Sequence, residues 1–194
     1  VVLFFIPRVI AATNIDLVNH WAWNDVIGWV NFVNSGNVTV SSTLMIGYAN
    51  SDIGSIILNC ATANSAPFNA ALNCANYPNW TITNNGSGVL SGFAWSEAIG
   101  WISFSCKSGG NCSDNDYGVT IDSVTGDFSG YAWNDVIGWI SFNGLINPPG
   151  AGSYKVSTGW RSFPVGAELT SSIIDAGSSV HWNTCPIAYG PTLS

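Results

Sequence analysis

Apolar and polar positions alternate along this chain in a phrase that occurs three times in nearly the same form. It reads HWAWNDVIGWVNF at 20–32, GFAWSEAIGWISF at 92–104 and GYAWNDVIGWISF at 130–142. Each copy has a short polar loop between two stretches in which apolar and polar residues alternate, as they do in strands. The chain has no sustained 3.6-residue apolar period, which would indicate a helix. The phrase therefore predicts a β-hairpin, and we expect almost no helix in the chain.

A degenerate copy, GYANSDIGSIIL at 47–58, is one residue shorter and lacks both tryptophans. Numbered in chain order this is copy two, and short β-branched stretches precede copies two, three and four at 38–40, 80–82 and 119–121. The predicted unit is strand A, a tight turn, strand B, a short loop and strand C, followed by a variable excursion. Such a unit cannot bury a face alone. The expected fold class is therefore all-β, with tandem three-stranded meanders packed as a stacked array or sandwich, or as a small propeller.

Antiparallel pairing within each hairpin predicts which side chains meet. In copy four it sets Trp133 opposite Trp139 and Ala132 opposite Ile140, so the tryptophans share one face and the smaller apolar residues share the other. Copy two loses both tryptophans together, as a contact pair predicts. We expect a stacked indole pair that holds each hairpin closed. The corresponding pairs in copies one and three are Trp23 with Trp29 and Trp95 with Trp101.

The two ends of the chain differ from the repeats. Residues 1–12 form an apolar run that ends in small residues, which indicates a signal-peptide remnant or an N-terminal strand. The four-copy repeat domain is expected at 13–145, a linker rich in proline and glycine at 146–155, and the truncated start of a second β domain at 156–194. The sequence predicts no transmembrane segment, because no apolar stretch is long enough.

The low content of charged residues limits the classes of partner that this chain can bind. Only 8% of the residues are charged, the net charge is −7 and the chain has four cationic side chains. A chain with so few lysines and arginines offers no basic surface for phosphates, which excludes nucleic acid as a partner.

Five cysteines favour an oxidising compartment. Cys60 and Cys106 occupy the same repeat position, and Cys74 and Cys112 each precede the next strand A. We predict the local disulfides Cys60–Cys74 and Cys106–Cys112, with a cross-repeat Cys60–Cys106 bridge as the alternative. Cys185 is left without a partner in either scheme.

The phrase G-[FY]-A-W-x-x-x-I-G-W-I-S-F, preceded in copy four by YGVTIDSVTGDFS at 117–129, resembles a tandem tryptophan-rich repeat found in predicted exported surface proteins of uncultured, small-genome bacteria. The resemblance covers about 20–145. It implies an extracellular or cell-surface location and a modular length, and it brings no catalytic or binding residues. It also implies that LTSSIIDAG near the C-terminus begins the sandwich domain that often follows such repeats.

Few side chains are candidates for catalysis or metal binding. One loop position is acidic in every copy, and we interpret these carboxylates as acceptors of backbone N–H bonds that close the loop, with calcium or acid–base roles as alternatives. The segment 113–118 fails the EF-hand pattern, and the two histidines are far apart in sequence. The sequence therefore predicts no metal, no cofactor and no enzyme. The acidic loop residues are Asp25, Asp52, Glu97 and Asp135.

These observations predict an exported structural or adhesive module of a cell surface or extracellular fibre. One alternative is a carbohydrate-binding, lectin-like module that uses an exposed aromatic face, although rings in register across the copies favour core packing. A second alternative is a filament subunit in which residues 1–12 donate a strand to a neighbouring copy. The expected partners are copies of the chain itself or surface glycans. The candidate ligand-binding residues are Phe93, Trp95, Trp101, Tyr131, Trp133 and Trp139.

Overall fold

The structure, a computed structural model, describes residues 13–33, 37–63, 68, 74–77, 79–110, 112–113, 115–144 and 153–162. By its internal contacts the chain divides into two units, 1–163 and 164–194, and the second unit lies outside the described residues. The predictions for 1–12, for a second β domain beyond 162 and for Cys185 also lie outside them.

The regular secondary structure of the described residues is almost entirely β, as predicted. They contain one turn of α-helix, α1 (Cys60–Ala63), and one 3-10 turn (Cys106–Gly109). The strands are β1 (Ile15–Asn24), β2 (Gly28–Asn31), β3 (Thr39–Val40), β4 (Leu44–Ile46), β5 (Tyr48–Ser51), β6 (Gly54–Ile57), β7 (Ile82–Asn84), β8 (Leu90–Ser96), β9 (Gly100–Ser103), β10 (Val119–Ile121), β11 (Phe128–Asn134), β12 (Gly138–Ser141) and β13 (Val156–Thr158).

Eight of these strands close into an antiparallel barrel made of four hairpins. Strands B and C of copies one to four form the hairpins β1–β2, β5–β6, β8–β9 and β11–β12. Adjacent hairpins pair edge to edge through β2–β5, β6–β8 and β9–β11, and β12 closes the ring on β1, where Trp23 lies opposite Ser141. The expected stack, sandwich or propeller is therefore wrong. The hairpins share hydrogen-bonded edges instead of stacking faces, which leaves the barrel without an open edge.

The barrel interior is filled by layers that take one small and one branched side chain from each hairpin. In the central layer alanine lies opposite isoleucine or valine across each hairpin, and all eight residues are buried. Alternation of small and large side chains is how a small barrel fills its lumen without a void. The central pairs are Ala22–Val30, Ala49–Ile56, Ala94–Ile102 and Ala132–Ile140.

Phenylalanines close the core at the end where the strands A lie. Phe142 has its ring centroid 5.5 Å from Phe104, 5.6 Å from Phe32 and 5.9 Å from Phe128. All four rings are buried. Isoleucines of the hairpin loops, such as the buried Ile137, close the opposite end.

Strand A of each copy pairs with the first half of strand B, as predicted for β10 with β11 and β7 with β8. In copies two, three and four, strand B then bends into the barrel at a glycine. In copy four this residue is Gly130, whose φ of +86° is a left-handed conformation. A Cβ at this position would lie 2.0 Å from the carbonyl oxygen of Gly118. Only glycine fits, because both the backbone conformation and the neighbouring chain exclude a side chain.

Strand A of copy one comes from the other end of the repeat region. It is β13, which pairs with β1. Lys155, beside β13, donates to Asp127 at 2.8 Å, and the hydroxyl of Ser157 donates to the same carboxylate at 2.6 Å. The predicted boundary at 146–155 therefore changes: residues 153–162 belong with the repeats, because they complete copy one.

Both local disulfides are present, Cys60–Cys74 and Cys106–Cys112. This confirms the local pairing and makes the cross-repeat bridge wrong. Closing the longer of the two loops stabilises the fold by about 3 kcal/mol in the chain-entropy model.

The substitution Gly130→Ala tests the bend in strand B. We expect a loss of at least about 2 kcal/mol in the free energy of unfolding, because alanine at positive φ is strained and its Cβ meets Gly118. Urea unfolding followed by near-UV circular dichroism measures this loss. The matched control is Gly109→Ala, where an added Cβ meets no atom within 4 Å. Equal stability of the two variants would contradict the role assigned to Gly130.

The Asp127 carboxylate holds the segment that contains β13 through Lys155 and Ser157, so this part of the fold has a stability that depends on pH. Burial alone would raise the pKa of this carboxylate, but the hydrogen bonds from Lys155 and Ser157 outweigh burial and lower the pKa below 3.8. The stabilisation is therefore present above about pH 3.8 and is lost as the pH falls through the folded-state pKa. We expect Asp127→Asn to cost about 1 kcal/mol at neutral pH, and this difference from the unaltered protein to shrink below pH 3.8. Urea midpoints measured across this range check it, and a pH-independent difference would refute it.

Candidate functional site

The predicted facing of the tryptophans is confirmed in three copies. Trp133 lies opposite Trp139, and the corresponding residues of copies one and three pair in the same way. Their ring centroids are 4.5–4.9 Å apart, and the planes meet at 61–68°. The rings therefore meet edge to face rather than in the expected stack, which is the arrangement that the charge distribution of aromatic rings favours.

The tryptophan face is the outer surface of the barrel, so the expectation of core packing is wrong. Ala132 and Ile140 fill the interior, and the alternation of side chains along a strand then turns Trp133 and Trp139 outward. The strand C indoles keep 39–41% of their surface exposed, whereas the strand B indoles are half-buried. The three exposed indoles are Trp29, Trp101 and Trp139.

Each exposed indole lies at the centre of a cluster of four rings. In copy four, Trp139 meets Trp133, Tyr131 at 6.0 Å and Tyr117 at 5.1 Å, all edge to face. We call these three sets the aromatic clusters, each named by its copy. The cluster of copy one is Trp21, Trp23, Trp29 and Tyr154. The cluster of copy three is Trp80, Phe93, Trp95 and Trp101.

The fourth ring of each cluster lies just before a strand A and was missed by sequence reasoning. In copy three the strand predicted at 80–82 begins at Ile82, so Trp80 precedes it. Tyr117 and Tyr154 each lie two residues before a strand A, and each donates its hydroxyl proton to a strand C serine, Ser103 or Ser141. A signal was present in the sequence. YGVTI at 117–121 and YKVST at 154–158 share the aromatic residue, the valine and the hydroxyl position.

Copy two has no such cluster. Asn50 and Ser55 replace the tryptophan pair and bond to each other at 3.0 Å. The outer face of this copy is covered instead, since Tyr48 meets Phe68 at 4.7 Å and both pack on a small core beside the Cys60–Cys74 disulfide. The barrel has four copies, but its outer face carries three aromatic clusters.

In copies one and four the acidic loop residues, Asp25 and Asp135, do not close the loops, contrary to expectation. That function belongs to the preceding residue: Oδ1 of Asn134 accepts the backbone N–H groups of Val136 and Ile137. Asp135 instead accepts the indole N–H of Trp133 at 2.9 Å. Asp25 binds Trp23 in the same way, whereas the longer Glu97 leaves the buried indole N–H of Trp95 without a partner. The carboxylate thus fixes the orientation of the strand B indole.

Asparagine also joins neighbouring copies. The amide nitrogen of Asn134 donates to the carbonyl oxygens of Ile99 and Trp101 at 2.9 and 2.8 Å, which links copy four to copy three. Asn24 makes the equivalent bonds from copy one to Ile137 and Trp139 of copy four. Both asparagines are buried and fully bonded, and they therefore hold adjacent clusters at a fixed separation.

An open cleft of about 420 Å³ lies where copy four meets copy one. Its aromatic wall comes from both copies and from the two excursion tyrosines: Trp23, Tyr117, Tyr131, Trp139 and Tyr154. Its polar groups are Asp25, Asn115, Asp116 and Ser141. An aromatic cleft with a few converging polar groups is the usual form of a small-ligand site.

Two tyrosines of the cleft, Tyr131 and Tyr154, are neutral groups. Burial raises the pKa of Tyr131, and the neighbouring Tyr154 adds to this rise. Burial also raises the pKa of Tyr154, while its bond to Ser141 opposes the rise and the charge of Asp25 adds to it. Both phenols therefore stay protonated in neutral and mildly basic solution.

The structure brings the candidate residues into two neighbouring clusters. Trp133, Trp139 and Tyr131 lie in that of copy four, and Phe93, Trp95 and Trp101 lie in that of copy three. Of these six, Tyr131 and Trp139 line the cleft.

One group of side chains in the described part of the chain has the spacing of a metal site. Ligand atoms of Cys106, Cys112 and Asp116 lie within 4.8 Å of one another. Both sulfur atoms are joined in a disulfide, so they are not thiolates and do not fit a metal.

Searches against protein families, curated protein sequences and solved structures find no match to this chain. Within the described ranges no helix has the length and apolarity needed to cross a membrane.

The substitution Asn134→Ala tests the link between clusters. It removes two donors and an acceptor that serve four backbone groups, and we expect a loss of about 3 kcal/mol in stability. The control is Asn85→Ala, which removes a similar loop acceptor for Ser87 and Val89 at an exposed position. Its expected cost is below about 1 kcal/mol. Thermal and urea unfolding of both variants measure the difference, and equal losses would mean that Asn134 acts only within its own loop.

Proposed function

We propose that this protein is an exported carbohydrate-binding module that serves as an adhesive element of a cell surface. The observation that carries the proposal is the exposure of Trp29, Trp101 and Trp139. Each indole meets three other rings and still presents about two fifths of its surface to solvent. Large apolar rings held rigidly at a surface are typical of a binding site, because exposed apolar area is otherwise unfavourable.

The chemistry of the clusters suits a sugar. The C–H face of a pyranose ring is apolar and packs on an indole, while its hydroxyl groups need hydrogen-bonding partners at the rim. In the cleft these partners are Asp25, Asn115 and Asp116. The rings are already positioned by their edge-to-face contacts, so little conformational entropy is lost when a ligand binds.

Three clusters on one barrel favour binding to a polymer. A single sugar on one aromatic platform binds weakly, whereas several platforms on a rigid body engage several units of a glycan chain. Adhesion to a glycan-covered surface is the function that such multivalent binding serves best. The disulfides support an oxidising, extracellular location.

The other two functions have less support. A purely structural module would bury the strand C tryptophans, which are exposed here. The filament hypothesis depends on residues 1–12, which lie outside the described residues. We propose no enzymatic activity.

The substitutions Trp29→Ala, Trp101→Ala and Trp139→Ala test the proposal. Each is expected to weaken binding to an immobilised polysaccharide about five- to thirtyfold, corresponding to 1–2 kcal/mol of aromatic contact, and the triple variant is expected not to bind. A panel of neutral polysaccharides on a biosensor gives the affinities. Protection of tryptophan fluorescence from a soluble quencher by the bound sugar gives a second readout.

Val124→Ala is the control, since this valine is 80% exposed and lies outside the clusters. Near-UV circular dichroism establishes that each variant is folded. A folded triple variant that binds as well as the unaltered protein would overturn the proposal.

A further inference from the structure

The cleft between copies four and one differs from the other cluster surfaces in charge. Asp25 and Asp116 both line it, and no cationic side chain is among its described lining residues. At the position of Asp116, directly before the excursion aromatic residue, copy three has Asn79 and copy one has Ser153. The second carboxylate is thus particular to this cleft.

Neither carboxylate is neutralised by a cationic side chain in the part of the chain that the structure describes. Asp25 uses one oxygen to accept the indole N–H of Trp23, a neutral donor. One oxygen of Asp116 lies 3.6 Å from the sulfur of Cys106, which has no proton to donate because it is in a disulfide. The salt bridge found among the described residues joins Lys155 to Asp127, which does not line this cleft. The carboxylates therefore leave a negative potential in the cleft, which its low-dielectric aromatic walls strengthen.

The aromatic rings add to the same preference. The faces of Trp139, Tyr131 and Tyr117 carry negative charge density, and an ammonium group over such a face is attracted in addition to its attraction to a carboxylate. The negative charge of Asp25 also acts on Tyr154, since it raises the pKa of that phenol. Rings and carboxylates together favour a cation over a neutral group of the same size.

We propose that this cleft selects a sugar that carries a protonated amino group, with the sugar ring on Trp139 and the ammonium group between Asp25 and Asp116. The inference rests on the proposed carbohydrate-binding function and names the class of sugar for this cleft. Trp29 and the cluster of copy three do not line the cleft, and they remain platforms without this preference.

The test compares three tetrasaccharides: β-1,4-linked glucosamine, its fully N-acetylated form and a neutral glucose tetramer. Isothermal titration with the full chain is carried out at about pH 5.5, where the amino groups of glucosamine are protonated. We expect the glucosamine tetramer to bind about tenfold more tightly than the N-acetylated form. We also expect this ratio to fall towards one as the salt concentration is raised.

Two variants locate the preference. Asp116→Asn alone, and Asp25→Asn together with Asp116→Asn, are expected to bring the ratio close to one, because they weaken binding of the glucosamine tetramer more than binding of the N-acetylated tetramer. The amide oxygen of asparagine still accepts the indole N–H of Trp23, so the fold is retained. Asp52→Asn is the control, because it makes the same change of charge at the same loop position of copy two, away from the clusters. It is expected to leave the ratio unchanged.

The outcomes separate the two proposals. A ratio near one in the unaltered protein, or a ratio that both aspartate variants retain, overturns the amino-sugar assignment and leaves carbohydrate binding standing. Failure of all three tetrasaccharides to bind overturns both proposals. Displacement of the glucosamine tetramer by an equal concentration of tetramethylammonium chloride would identify a site for ammonium ions without sugar specificity, and it would also overturn the assignment.

Discussion

The limited space inside an eight-stranded barrel is the constraint on which the rest of this structure depends. Each hairpin can place only one small and one branched side chain in the central layer, as Ala132 and Ile140 do. The next residues along the strands must point outward, and in three copies these are tryptophans. The positions of the aromatic clusters are therefore a consequence of how the lumen is filled, since strand alternation leaves the bulky rings no other face.

Closure of the ring imposes a second demand, because copy one also needs a strand A beside β1. This strand is β13, which follows copy four in the chain and pairs with β1 of copy one. The segment that contains β13 also places Tyr154 beside Trp29, and Tyr154 lines the cleft together with Asp25. The structural closure and the candidate site thus depend on the same short segment, residues 153–162.

The local and periodic features of the fold could be predicted from the sequence. The hairpin register followed from alternation and from the joint loss of tryptophans in copy two, and the local disulfides followed from their repeat positions. Ring closure could not be predicted, because a hairpin carries no local pattern that decides between pairing edges and stacking faces. The outward direction of Trp133 also required the closed barrel, since either face of an isolated hairpin can be the buried one. Tyr154 was missed because a stretch rich in proline and glycine separates it from the repeats.

Copy two shows that the tryptophans are not needed to close a hairpin. There Asn50 lies opposite Ser55, the register is kept and Ala49 and Ile56 still fill the lumen. Where the tryptophan pair is absent, the excursion covers the outer face with Phe68 and a disulfide. In the other three copies the face is left open, although its central indole exposes a large apolar surface to water. Because a hairpin closes without these rings, as copy two shows, the fold does not require their open arrangement, and this is the physical basis of the binding function that we propose.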